Sequence, residues 1–126
     1  MELKEYFENK KGFGVLSTVD GPGKVNAAVY SRPHFTEDGL LAFVMRDRLT
    51  HNNLGSNPHA VYLFKEDGAG YNGRRLYLRK VREVEDAELI ASLVRRNYLA
   101  DREGSESRFL VYFKLEKELP LIGPGE

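Results

Sequence analysis

Apolar residues recur along the chain in short runs separated by turn-forming residues, a pattern typical of a mainly β protein. The first two runs are joined by Asp20-Gly21-Pro22-Gly23, which predicts a β-hairpin. A second turn, Glu37-Asp38-Gly39, leads into the third run. The six predicted strands are residues 13–19, 25–31, 40–45, 59–65, 74–84 and 109–115.

Three short helices are predicted beside these strands. The first, residues 2–10, carries its apolar side chains on one helical face. The second begins at Thr50, a residue type that favours the N-cap position, and ends at Ser56. The third follows Asp86, another N-cap residue type. Its apolar stripe consists of Leu89, Ile90, Leu93 and Val94.

The order of these elements does not alternate as β-α-β units, so a doubly wound parallel sheet is disfavoured. A small antiparallel barrel fits better. With 126 residues the chain has the length of one domain. The fold class expected is therefore mainly β (α+β), a six-stranded antiparallel β-barrel with short flanking helices, formed by residues 1–126 as a single domain.

Composition and charge narrow the functional classes. Lys+Arg and Asp+Glu both number 19, so no net charge attracts nucleic acid or an anionic membrane. The absence of cysteine excludes disulfides, thiol catalysis and thiolate metal sites, and it fits a reducing compartment. No apolar run approaches the roughly 20 residues of a membrane span, and the N-terminus does not have the pattern of a signal peptide. We expect a cytoplasmic protein without nucleic-acid or membrane partners.

The segment 40–64 carries the clearest candidate chemistry. A strand-like run ends at Arg46 and Arg48, and a short helix then begins near Thr50. Guanidinium groups, a hydroxyl and the unpaired amides of a helix N-terminus are all donors to a phosphate. This segment therefore predicts an anion site, although solvated charges at the end of a strand have the same sequence pattern.

Three histidines, His34, His51 and His59, raise the possibility of a metal or haem site. They are scattered and lack the carboxylate spacing of a metal site, so surface or capping positions are the simpler interpretation. No metal is expected.

The order of elements and three stretches of sequence resemble the pyridoxamine 5′-phosphate oxidase-like FMN-binding split barrels. The stretches are GVLSTVDGPGKVNAAVYSRP, LLAFVMRDRLTHNNLGSNPHAVYLF and RRLYLRKVREVED. The resemblance implies that FMN is bound without a covalent bond, along the second strand, at the end of the third and in the following turn. The implied cofactor-binding residues are Asn26, Ala27, Ala28, Val29, Tyr30, Val44, Met45, Arg46, Arg48, Thr50 and His51. Many members carry a cation in the turn where this chain has Leu49, for which Arg46 and Arg48 are the natural substitutes.

The resemblance also implies a homodimer with the flavin at the interface. Tyr62, Phe64 and Arg75 are then expected near the flavin of the other subunit. The function implied is that of an FMN-dependent oxidoreductase acting on a small organic substrate by two-electron transfer. Two alternatives stay open, namely a non-enzymatic flavin or haem binder that carries electrons, and a barrel that recognises nucleic acid or protein without a chromophore. No residue is identified as a catalytic acid or base.

Overall fold

The computed structural model describes residues 2–93 and 108–123. The helices are α1 (Leu3–Asn9), α2 (Leu49–Ser56) and α3 (Ala87–Leu93). The strands are β1 (Gly12–Val19), β2 (Val25–Val29), β3 (His34–Phe35), β4 (Leu41–Arg46), β5 (His59–Glu66), β6 (Gly73–Val84) and β7 (Arg108–Pro120).

The mainly β, antiparallel fold expected from the sequence is confirmed, with one strand more than the six predicted. The additional strand is β3, whose two residues are too few to produce a recognisable alternation. The final strand also continues to Pro120, beyond the predicted end at residue 115, because its pairing with β6 extends as far as Pro120.

All strands belong to one antiparallel sheet with the order β2-β1-β5-β6-β7-β4-β3. The sheet curls round until its two edges approach each other. The ring of Tyr30, just after β2, lies 6.0 Å from the ring of Phe43 in β4, although four strands separate β2 from β4 in the sheet. The edges are not hydrogen-bonded to each other, so the barrel is split along this line.

Strand β5 shows how the barrel interior is filled. Tyr62 and Phe64 are both completely buried, and they pack in the main core with the ring of Phe7 from α1. Their expected place at a subunit surface is therefore wrong. Alternate residues of a strand point to opposite faces, so Val61 and Leu63 face outwards together with His59 and Lys65.

The hydroxyl of Tyr62 fixes the chain where it leaves β2. It donates a hydrogen bond of 3.0 Å to the backbone oxygen of Tyr30. Gly14 makes this contact possible, because a Cβ at that position would collide with the Tyr62 hydroxyl and the Tyr30 carbonyl. The end of β2 is thus held against the inside of the barrel.

A second, smaller core lies on the other side of β4, where α3 covers the sheet. Ile90 of α3 is buried against Ala42 and Leu110, and Leu93 packs at the margin of this cluster. The predicted cap is confirmed, since the Leu89 amide donates a 3.1 Å hydrogen bond to the Asp86 carboxylate. Of the predicted apolar stripe, Leu89 is 38% exposed and Val94 lies outside the described residues.

Within residues 2–93 and 108–123, no helix has the length and apolar character needed to cross a membrane.

Candidate functional site

A cavity of about 470 Å³ opens where the barrel is split. Its walls come from β2, the segment 30–34, β4, the first turn of α2, and the neighbouring ends of α3 and β7. The volume lies within the range of roughly 300–1,000 Å³ that is usual for small-molecule and cofactor sites. The split between the sheet edges thus produces a cavity of suitable size for a cofactor.

Eight of the twelve sequence-predicted site residues line this cavity. They are Asn26, Ala28, Val29, Tyr30, Val44, Arg46, Arg48 and Thr50. The four that do not line it are Ala27, Met45, His51 and Arg75.

Strand geometry explains why Ala27 and Met45 are not part of the lining. Ala27 is exposed on the outer face of β2, because its neighbours Asn26 and Ala28 face the cavity. Met45 is only 1% exposed and belongs to the main core, whereas Val44 lines the cavity.

Thr50 has a different local role from the N-cap that the sequence predicts. Helix α2 begins at Leu49, with Arg48 at the N-cap position and no side-chain capping bond. Thr50 lies inside the first turn, is 5% exposed, and its hydroxyl accepts a long 3.4 Å hydrogen bond from the Asn26 side chain. The cap prediction is wrong because the packing of β2 against α2 directs this hydroxyl towards β2 and the cavity.

The phenol of Tyr30 lies beside Thr50, at the end of the cavity where α2 begins. Burial raises the pKa of Tyr30, while a hydrogen bond with Thr50 and the charge of Arg48 oppose this effect, and the net pKa lies above the ordinary tyrosine value. The phenol is therefore protonated at neutral pH. Tyr30, Thr50 and Arg48 form one polar cluster beside the start of α2.

The charge of the described lining is entirely positive. Besides Arg46 and Arg48, it includes Arg32 and Arg108, and among the described lining residues there is no aspartate or glutamate. The Arg32 guanidinium donates hydrogen bonds of 2.7 and 2.9 Å to backbone oxygens near the end of α1, so it is anchored at the rim. A cavity with this lining favours an anionic ligand.

Sequence reasoning missed Arg108, Arg32 and His34 as lining residues. Arg108 is the cross-strand partner of Arg46, and that register is a long-range property of the sheet. The signal available for Arg32 was its position directly after β2, next to Tyr30 and Ser31.

His51 is turned away from the cavity. Its Nδ1 lies 3.1 Å from a carboxylate oxygen of Asp47, and its Nε2 lies 3.0 Å from the carboxylate of Glu83 on β6. The imidazole also stacks on the ring of Phe109 at 4.0 Å between centroids. This arrangement pins the first turn of α2 to β6 and β7, so His51 supports the turn before α2 and does not line the cavity.

The Glu83 carboxylate has two hydrogen-bond partners, His51 and Lys80. Lys80 Nζ donates to its carboxylate at 2.7 Å, and His51 lies on the other side. Burial raises the pKa of Glu83, but the hydrogen bonds from Lys80 and His51 outweigh burial, and the net pKa is lowered. The ionised carboxylate is therefore the form that the fold stabilises.

Glu83→Gln should destabilise the protein by about 1–2 kcal/mol at pH 7, because two charge-assisted hydrogen bonds to a partly exposed carboxylate are lost. A group with a lowered folded-state pKa stabilises the fold above its unfolded-state value, about 4.3 for glutamate, and this contribution is lost as the pH falls through the folded-state pKa. Urea unfolding at pH 7 and near pH 3 measures the difference. Glu85→Gln, at an exposed position, is the control, with an expected change within about 0.5 kcal/mol. An equal deficit for Glu83→Gln at both pH values would contradict the electrostatic explanation.

Arg75 lies on β6, where its Nε donates a 2.8 Å hydrogen bond to the backbone oxygen of Pro120.

The three histidines do not converge. His34 lines the cavity, His51 points from α2 towards Glu83, and His59 approaches Glu116 at 3.8 Å. No cluster of three potential metal ligands among histidine, aspartate and glutamate side chains occurs in the described part of the chain.

Comparison with known proteins identifies the architecture. No protein-family model and no curated protein matches the chain. Among solved structures, an FMN-binding protein from Syntrophomonas wolfei subsp. wolfei superposes with a TM-score of 0.72 at 22% identity, covering 94% of this chain and 83% of that one. A Listeria innocua protein assigned as a pyridoxamine 5′-phosphate oxidase gives a TM-score of 0.62 at 19% identity, covering 95% and 98% of the two chains. The chain has the split-barrel fold of the pyridoxamine 5′-phosphate oxidase-like proteins.

The split barrel also occurs in a protein named for haem. HutZ, the heme storage protein from Vibrio cholerae, superposes with a TM-score of 0.63 at 22% identity, covering 94% of this chain and 91% of that one. These identities establish a common fold.

Proposed function

We propose that this protein binds FMN in the cavity at the split of the barrel. The observation that carries the proposal is the described lining, in which arginines and a buried threonine surround the start of α2 and no carboxylate is present. The FMN phosphate would lie at this end, against Arg46, Arg48 and Thr50. The first backbone hydrogen bond within α2 runs from the Asn52 amide to the Arg48 oxygen, so the amides of residues 49–51 are available to the same phosphate.

The remaining walls suit an aromatic ring system. Ala28 presents a small side chain, and Val29, Phe43 and Val44 supply apolar surface beside it. Bound FMN would supply two-electron or hydride transfer, as flavins do. The protein's part would be to orient the ring along β2 and to exclude water from it.

An oxidoreductase acting on a small organic substrate is the activity we infer from this cofactor. The described lining has no carboxylate, and His34 is the lining side chain whose type ordinarily changes protonation near neutral pH. His34 is accordingly the residue whose replacement most directly tests for proton transfer to a substrate beside the flavin.

We also propose a homodimer, whose interface consists of outward-facing residues of β1, β2 and β5 and does not include Tyr62 and Phe64. Residues directly opposite each other in neighbouring strands share a face, and Val15 is paired with Val29 on one side and with Leu63 on the other. Val29 is 63% exposed, Leu63 is 38% exposed, and Phe13 on the same stretch of sheet is 56% exposed. Because Val29 also lines the cavity, this apolar face is continuous with the proposed flavin site, and a second copy of the chain would cover both.

Haem binding is the second candidate, and His34 favours it. A histidine in the wall of a cavity is a potential axial ligand to haem iron. The cationic end of the cavity would then contact haem carboxylates instead of a phosphate.

We expect the purified protein to carry a chromophore with a flavin absorbance spectrum and, after heat extraction, the mass of FMN. The proposal places one phosphate-sized anion site in the cavity, and residues 2–93 and 108–123 contain no parallel β-α-β unit of the kind that usually accompanies a dinucleotide. Haem in the spectrum would favour the second candidate. FAD, a deazaflavin, or an apoprotein that takes up neither FMN nor haem when titrated would contradict FMN binding.

A further inference from the structure

Helix α2 has a mainly polar buried side. Its buried residues are Thr50, Asn53 and Leu54, of which Leu54 alone is apolar. An amphipathic surface helix usually has roughly three to four apolar residues per two turns facing the core. A single apolar contact fixes neither the rotation of a helix about its axis nor its position along that axis, because the hydrophobic effect is non-directional. The orientation of α2 therefore depends on directional contacts.

Two hydrogen bonds between side chains join α2 to neighbouring strands. The Asn53 Nδ2 donates to the Thr18 hydroxyl of β1 at 3.1 Å. The Asn26 Nδ2 of β2 donates the long 3.4 Å bond to the Thr50 hydroxyl. Thr18 and Asn26 are directly opposite each other in the sheet. Thr50 and Asn53 are three residues apart and so lie on one face of the helix. A cross-strand pair thus meets a helical pair.

The contact between Asn53 and Thr18 is shielded from water. Asn53 is 4% exposed and Thr18 is 3% exposed. A buried amide that loses its partner costs the full desolvation penalty of that group, so α2 is restricted to the placement in which the two side chains meet. An apolar pair of similar shape would fill the same space without this restriction.

The placement of α2 has its effect one turn earlier in the helix, at the cavity. Thr50 lines the cavity from the first turn of α2. A rotation or shift of α2 would move the Thr50 hydroxyl away from Asn26, and with it the amides of residues 49–51 that the proposed function assigns to the phosphate. On the other side of this turn, His51 is held by Glu83 at 3.0 Å. The first turn of α2 is therefore held from two sides.

We propose that Asn53 and Thr18 are positioning residues for the end of the cavity where α2 begins. Their buried hydrogen bond sets the placement of α2, and the first turn of the helix then meets the phosphate of the ligand. Neither residue lines this cavity, so both act through the helix. The inference rests on the proposed function, since the FMN phosphate is the group that the turn would bind.

The first experiment replaces both partners by apolar residues of similar shape, in the double variant Asn53→Leu with Thr18→Val. Neither of the two buried groups is left without its partner, so the thermal unfolding midpoint should stay within a few degrees of the wild-type value. Fluorescence titration of the apoprotein should show FMN affinity reduced by about 5- to 10-fold, the equivalent of roughly one hydrogen bond, with riboflavin affinity unchanged. General damage to the fold would weaken both ligands equally.

Single replacements of Thr18 test the hydroxyl itself. Thr18→Ser keeps the acceptor for the Asn53 amide, so the ratio of FMN to riboflavin affinity should stay close to the wild-type ratio. Thr18→Val has the shape of threonine without the hydroxyl, so the ratio should fall as in the double variant. Its unfolding midpoint should also fall, because the Asn53 amide is left buried without this partner.

Asn9→Leu is the matched control for the asparagine replacement. Asn9 is exposed on α1, and its side chain donates a 2.8 Å hydrogen bond to the Glu5 backbone oxygen of the same helix. This variant should leave the ratio of the two affinities unchanged. If the double variant does not fold, the comparison of Thr18→Ser with Thr18→Val decides, and equal ratios in these two variants would overturn the inference.

A second readout does not involve flavin. At pH 8 and equal ionic strength, inorganic phosphate should raise the unfolding midpoint of the wild type more than acetate does, and the double variant should lose this difference. If the wild type shows this effect without binding FMN, and the double variant loses it, the proposed cofactor is wrong and the positioning role stands.

The opposite outcome is equally distinct. A wild type that binds FMN, with a folded double variant that keeps the wild-type ratio of affinities or the phosphate effect, would overturn the positioning role and leave FMN binding intact. A wild type that shows neither FMN binding nor the phosphate effect would overturn both proposals.

Discussion

Arg48→Ala should weaken FMN binding by about 1.5–3 kcal/mol, or roughly 10- to 150-fold, as expected for a hydrogen bond to a charged group. Arg48 is the N-cap residue of α2, lines the cavity, and acts electrostatically on the half-buried Tyr30. Fluorescence titration of the apoprotein with FMN measures the loss. Thr50→Val should cost less, about 0.5–1.5 kcal/mol, because it removes a neutral hydrogen bond.

Riboflavin is the control ligand for this prediction. It lacks the phosphate, so its affinity should be nearly unaffected by Arg48→Ala. Equal losses of riboflavin and FMN affinity would mean that the turn has a structural role only, and the assignment of the phosphate to Arg48 would then be withdrawn.

Leu63→Glu should convert the proposed dimer to a monomer and release the flavin with it. A carboxylate placed at Leu63, next to Val15 on the outer face of the sheet, would lose its hydration if that face were covered by a second subunit. Sedimentation velocity with detection of both protein and flavin absorbance measures the two effects together. The expected result is a slower, colourless species in place of a flavin-bearing dimer.

Leu89→Glu is the matched control for the dimer. Leu89 has the same exposed fraction as Leu63, 38%, but it lies on α3, outside the β1–β2–β5 face. This variant should remain a flavin-bound dimer. A wild-type protein that binds flavin as a monomer, or a Leu63→Glu variant that remains dimeric, would contradict the proposed interface.

Local sequence patterns predicted the elements of the barrel well, but strand faces less well. Residues 40–45 are all apolar because β4 is covered on both sides, by the main core and by α3. Such a run contains no alternation, so Met45 and Val44 could not be assigned to different faces. In β5 the alternation was present, yet Tyr62 and Phe64 were expected beside the flavin of a partner subunit when they fill the interior.

The site residues that the sequence missed depend on long-range pairing. Arg108 is 62 positions from Arg46 in sequence, and only the register between β4 and β7 brings the two side chains together. His51 illustrates the reverse case. Its place after the two arginines suggested a ligand contact. In the structure, Glu83 and Phe109, which are distant in sequence, hold the imidazole on the side of α2 that faces away from the cavity.

The position of β7 in the sheet has a consequence for folding during synthesis. Among the described strands, β4 pairs with β3 and β7, so the β3–β4 hairpin joins the rest of this sheet through β7 once β7 has been made. Pairings between residues so far apart in sequence make folding slow. On the ribosome, we therefore expect the cavity to form late, with the unpaired edge of β4 exposed to chaperones and to other nascent chains until residue 108 and the strand after it have left the exit tunnel.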